Sequence, residues 1–202
     1  WTMHMGRLRS YNLSGNPVIE FPDGRRESTY LKKEESGVAT YLTRDFLKLE
    51  RNSFGWFLCF QDGTKWKFGV SRKVLYQGGL EDVMLVTEIS DTYGDRITIT
   101  YAGESAAINT ITDAVGREVK FELAAGSDPL YPRLARMKLL YGGSVVRSFE
   151  YTVDAEPDPS PIGQVHLLKR FQAPLPLAPE DFTYYLNTFS DKRRYPLQKA
   201  TT

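Results

Sequence analysis

Asp91-Thr92-Tyr93-Gly94-Asp95-Arg96-Ile97-Thr98-Ile99-Thr100-Tyr101 and, 22 positions on, Asp113-Ala114-Val115-Gly116-Arg117-Glu118-Val119-Lys120-Phe121-Glu122-Leu123 read as two copies of one unit. Each copy opens on Asp-x-x-Gly and runs into a strand. The first strand is rich in β-branched residues, which suit a pleated surface. The second alternates apolar and polar with period two, as a half-buried strand does. A short apolar strand precedes each copy: Val86-Thr87-Glu88-Ile89 and Ile108-Asn109-Thr110-Ile111. The unit is therefore strand, turn, strand, connector. A period of about 20 residues fits one β-hairpin and is too short for a helical-hairpin repeat.

Outward from this pair the same grammar continues. Phe21-Pro22-Asp23-Gly24-Arg25-Arg26 echoes Phe60-Gln61-Asp62-Gly63-Thr64-Lys65, and Asp-Gly is a strong hairpin signal. Gly78-Gly79 and Gly142-Gly143 mark further reversals, the second inside a looser unit from Leu134 to Tyr151. Trp66-Lys67-Phe68 and Phe149-Glu150-Tyr151 alternate like strands, and no window carries a sustained helical apolar face. Pro179-Glu180-Asp181-Phe182 suits a helix's first turn and predicts one short helix. Prolines 157, 159, 161, 174, 176 and 179 make loops around a strand at Val165-His166-Leu167-Leu168-Lys169-Arg170-Phe171. Three segments follow: degenerate hairpins over 1–80, clear repeats over 81–154, and proline-rich excursions with further strands over 155–202. A lone hairpin is marginal in water, so the hairpins must share ladders side by side. The expected fold is all-β, an extended, twisted strip of antiparallel hairpins.

Composition narrows the function. With 26 basic and 25 acidic residues spread along 202, the chain has no basic patch for nucleic acid or a membrane surface. No apolar run approaches the roughly 20 residues of a membrane span. Cys59 is the one cysteine, in an apolar strand-like run, and reads as an inert buried thiol. The chain begins at Trp1 with no visible signal peptide, and reads as excised from something longer.

Candidate chemistry is thin. Asp154, Glu156 and Asp158 have the opening spacing of a calcium loop. Pro159 stands where the glycine is needed and Val165 where the last acid is, so an acidic loop is expected. Asp91 and Asp95 read as turn caps rather than a shared cation site. His4 and His166 lack any nucleophile motif, and neither a phosphate loop nor a dinucleotide fingerprint is present. Paired carboxylates for sugar hydrolysis leave no sequence spacing to find. Trp56, Trp66, Tyr76, Tyr93 and Tyr101 would make a glycan platform only if gathered on one face; the alternative is cross-strand packing. Asn12-Leu13-Ser14 is a glycosylation sequon, relevant only in a eukaryotic secretory setting. The sequence assigns no catalytic residue, metal ligand or cofactor, and predicts neither tight metal binding nor hydrolase activity.

The residues resemble the RHS/YD-repeat family, whose unit carries Asp-x-x-Gly-Arg, a strand ending in an aromatic, and often Asp. Asp113, Gly116, Arg117 and Phe121 match this pattern. Asp91, Gly94, Arg96 and Tyr101 match it with Asp95 inserted where Arg is usual, and Tyr151 with Asp154 resembles the Tyr-x-x-Asp ending. The resemblance covers most of the chain, but only two units are specific. It implies a bacterial, secreted or surface-exposed wall segment of a shell around a C-terminal payload or toxin, with adhesion as the role in animal relatives. The family's self-cleaving motif has no counterpart here. The implied partners are neighbouring repeats of the parent chain and an enclosed payload. A carbohydrate-binding or adhesive surface module is the alternative, with a glycan as ligand, and a hydrolase ranks third. A wall segment should have open sheet edges at both ends and self-associate through its terminal strands.

Overall fold

The computed structural model describes residues 4–10, 16–76, 79–126, 128, 130, 132–157, 164–172, 180–184 and 197–201. The described residues contain no helix and the strand content is 66%, which makes the chain all-β. It divides into two compact units, residues 1–118 with 128–132, and residues 119–127 with 133–202.

The first unit opens with β1 (Arg7–Arg9), β2 (Val18–Glu20), β3 (Arg26–Glu35) and β4 (Val38–Thr43). It continues with β5 (Lys48–Asn52), β6 (Gly55–Cys59), β7 (Lys65–Tyr76), β8 (Gly79–Ser90), β9 (Arg96–Tyr101) and β10 (Ile108–Thr112). Each strand pairs antiparallel with its sequence neighbour, and β1 also pairs with β8. Strands β1 to β8 therefore close into an eight-stranded antiparallel barrel.

Period-two alternation puts one residue in two inside. Leu8 faces Ile19, Tyr41 faces Leu49, Leu49 faces Leu58, Leu58 faces Trp66, and Phe68 faces Val86. Leu8, Ile19, Leu49, Leu58, Phe68 and Val86 are fully buried. Beside them Phe21 and Phe60 pack on Trp66, with ring centroids 5.8 and 5.0 Å apart.

Closure corrects the expected open strip. β8 is twelve residues long, and one edge serves two strands. Val83–Leu85 takes β1 and Glu88–Ser90 takes β9. Register shifts between Lys67 and Val70 bend the β7–β8 ribbon where the two part. β1 is thereby paired on both sides, so among the described residues the first edge is not the open one expected of an excised strip. The physical reason is that a strongly twisted sheet removes its edges by closing.

The second unit takes in most of β11 (Arg117–Leu123), then β12 (Leu134–Tyr141), β13 (Ser144–Pro157), β14 (Gln164–Gln172), β15 (Glu180–Tyr184) and β16 (Leu197–Thr201). From β12 onward each pairs antiparallel with the next. The predicted helix after Pro179 is strand β15 instead. Phe182, Thr183 and Tyr184 are aromatic or β-branched and pair with β16, and pairing outweighs first-turn signals. Gly78, the sequon and Asp158 lie outside the described residues.

Five hairpin turns share one hydrogen-bond scheme, at residues 21–25, 43–47, 60–64, 91–95 and 113–117. The first residue's N–H donates to the fifth residue's carbonyl, at 2.8–3.1 Å. This is a three-residue loop whose fourth position needs the left-handed region. Gly94 and Gly116 sit there at φ +92° and +82°. In the turn at 43–47 the position is held by Phe46, at φ +62° and 71% exposed. Gly116→Val should cost about 1 kcal/mol or more. A Cβ at Gly116 meets nothing within 4 Å, so the loss is backbone strain alone. Thermal melting checks this, and an unchanged Tm would contradict the turn assignment.

Candidate functional site: a buried charge cluster at the barrel seam

The seam strands keep the period-two alternation, but their charged face is buried. Arg7 and Arg9 flank Leu8 and point to the opposite side of the sheet, as does Glu20 beside Ile19. That side is nonetheless covered. Arg9 is 7% exposed and Glu20 4%. On β7 and β8, Val74, Val83 and Leu85 form a buried cluster, packed by Val70, Tyr101 and Ala106.

Glu20 is the hub. Its Oε1 accepts from Arg7 Nη2 at 2.6 Å. Its Oε2 accepts from Arg26 Nε at 3.1 Å and from Arg9 Nη1 at 3.4 Å. His4 Nε2 lies 3.6 Å from Oε1. Arg9 also reaches across the seam to Glu81, donating from Nε at 3.2 and 3.1 Å and from Nη2. Its guanidinium lies 3.5 Å from the centre of the Tyr76 ring, and Arg26 donates to the Tyr76 hydroxyl at 3.0 Å. The cluster ties β1, β2, β3, β7 and β8 together, the strands that meet where the barrel closes.

The charges tune one another. Burial works to raise the Glu20 carboxyl, but the Arg7 hydrogen bond and the charges of Arg7, Arg26 and His4 hold it below the ordinary range. Burial and the Arg7 charge keep the His4 imidazole low, against Glu20. Hydrogen bonds from Arg9 and Arg26 pull the Tyr76 phenol down. Arg9 is held charged despite burial by Glu81, Tyr76 and Glu20. Both carboxylates are engaged by arginine, and these charge-assisted contacts make the arrangement an electrostatic clasp across the seam.

The repeat residues lie elsewhere. Asp113 Oδ1 accepts the N–H groups of Val115 and Arg117 at 3.1 and 2.9 Å, and its Oδ2 takes Arg117 Nε at 2.6 Å. Asp91 Oδ1 accepts from Tyr93 and Asp95 at 2.8 and 3.0 Å. Both carboxylates cap turns. The counterpart of Arg117 in the earlier turn is Asp95, while Arg96 begins β9 and lies 3.8 Å from Glu88. The Tyr101 hydroxyl donates to the Val86 carbonyl at 2.6 Å, at the point where β9 leaves β8, and burial pushes its phenol up. Phe121 is 7% exposed, and Tyr151 packs tilted against Phe171, with ring centroids 5.4 Å apart. Asp154 pairs through its backbone with Leu167, and His166 with Ala155.

The five aromatics weighed as a glycan platform do not share a surface. Trp56 is 6% exposed, Trp66 packs on Phe21 and Phe60, Tyr76 lies against Arg9, and Tyr101 is half-buried. Tyr93 stands 92% exposed at a turn tip. Cys59 is half-buried beside Glu50, and burial, then the Glu50 charge, raises its thiol against Lys48 and Lys65. Among the described residues no three His, Cys, Asp or Glu side chains converge on a metal-binding arrangement.

Sequence reasoning missed the clasp. Its faint signal is Arg7-Leu8-Arg9, where charges alternate with a single apolar residue in a strand of three. No protein-family model matches the chain, and no curated protein is significantly similar to it.

Proposed function

We propose that the chain is a non-catalytic structural segment of RHS/YD-repeat type, part of the wall of an exported bacterial shell that encloses a C-terminal payload. The observation that carries this reading is the turn pair at 91–95 and 113–117. Two Asp-x-x-Gly turns, 22 positions apart, have the same carboxylate cap and the same closing hydrogen bond, each between antiparallel strands. Serial pairing supports it, because strands that join only their sequence neighbours can be extended indefinitely by adding hairpins. In this reading the barrel is a self-closed element and further repeats add beyond β16, which pairs only with β15 among the described residues.

A surface module binding a glycan is the second reading, and barrel closure is what favours it. The dispersal of the five aromatics weighs against it.

Light scattering separates the two. The shell reading expects the 202-residue chain to self-associate through β16, and a chain lengthened by the next repeats of its parent to be monomeric and more stable. A monomeric 202-residue chain whose Tm rises with a soluble oligosaccharide would replace it with the glycan reading.

A further inference from the structure

Gly6 is where the chain enters the barrel seam. Its carbonyl accepts the Val86 N–H at 3.3 Å, and its own N–H donates to His4 Nδ1 at 3.2 Å. Its φ of +117° and a would-be Cβ 2.6 Å from the Trp66 ring admit only glycine at this position. The acceptor at Nδ1 and the bond from Val86 together hold the entry to β1. The His4 side chain is 9% exposed, with Nε2 turned toward Glu20 Oε1. In this geometry the ring is neutral, with its one proton on Nε2.

A second proton must go to Nδ1. It would set N–H against the Gly6 N–H, two donors face to face in a buried site. We infer that His4 is an acid-sensitive pin: its protonation expels the ring from Gly6 and loosens β1 from between β2 and β8, opening the barrel at its seam.

The surrounding charges decide the direction. Glu20 on β2 attracts an imidazolium, but it is already engaged by Arg7 and Arg9 on β1 and Arg26 on β3. Arg7 repels it directly. Glu81 on β8 and Tyr76 on β7 are occupied with Arg9. The imidazole is accordingly held below its ordinary value. A base depressed in the folded state gives stability that is full above the unfolded value, about 6.5, and is lost as pH falls below it. Glu20, also depressed, acts in the same direction but only in the lower carboxylate range. Among the groups of this cluster, the effect between about pH 5 and 6.5 belongs to His4.

Amide hydrogen exchange on the whole chain at pH 7.5 and 5.5, corrected for intrinsic rates, tests the pin. Protection at Leu8, Arg9 and Met84 should fall about tenfold relative to Leu49 and Leu58, the factor by which pH 5.5 favours an opened, freely titrating histidine. His4→Gln offers an acceptor that cannot take the proton and should abolish the fall. An equal fall in that variant, or none in the wild type, overturns the inference. Should His4→Gln not fold, nitrogen-15 NMR of the wild type decides alone, since the chain has just two histidines. An Nδ1–H tautomer at neutral pH, or a His4 titration at or above the ordinary histidine range, ends it.

Discussion

Replacing Glu20 with Gln should cost about 3 kcal/mol or more, the loss typical when one partner of a buried ion pair is removed. Three guanidinium groups converge on this carboxylate, Arg9 buried with it and Arg7 largely so. Arg7 suffers most, because its Nε has no partner among the described residues. An amide keeps the shape but gives up the charge, leaving desolvated cations uncompensated. At this chain length the drop in Tm should be roughly 6–12 °C. Glu34, 58% exposed and 3.5 Å from Arg51, is the control. Glu34→Gln should move stability by less than about 0.5 kcal/mol, since exposed pairs are screened. Changing Arg7 to Met alongside Glu20→Gln should recover part of the loss, because the stranded cation goes with its partner. Equal melting curves for the two single variants would remove the clasp as a source of barrel stability.

Phe68→Ala should cost about 3–5 kcal/mol in chemical denaturation. Phe68 is fully buried, faces Val86 across the β7–β8 ladder, and neighbours the bulge that lets β8 serve both β1 and β9. Truncation there leaves a cavity that rigid strands cannot collapse. Phe54, 80% exposed at the β5–β6 turn, is the matched control, and Phe54→Ala should stay within about 0.5 kcal/mol. A loss below 1 kcal/mol for Phe68→Ala would mean that the barrel interior is not the core of the first unit.

The sequence by itself determined what five consecutive residues can encode. Asp91 and Asp113 accept N–H groups two and four positions on, and a glycine in the fourth place supplies the positive φ. Those turns, the strands beside them and the all-β class follow from local chemistry. Phe182 to Tyr184 show where local signals misled: Pro-Glu-Asp suits a helix start, but the ladder to β16 prevailed. Tertiary structure alone decided the barrel and its clasp. Arg9 and Glu81 are 72 positions apart, and the pairing of β1 with β8 that brings them together leaves no mark on either strand's alternation. Hairpins in an open strip and hairpins in a closed barrel have the same turns and the same period of two. What separates them is accumulated twist, the bulges near Gly69, and the free energy of removing an edge, all properties of the assembled sheet.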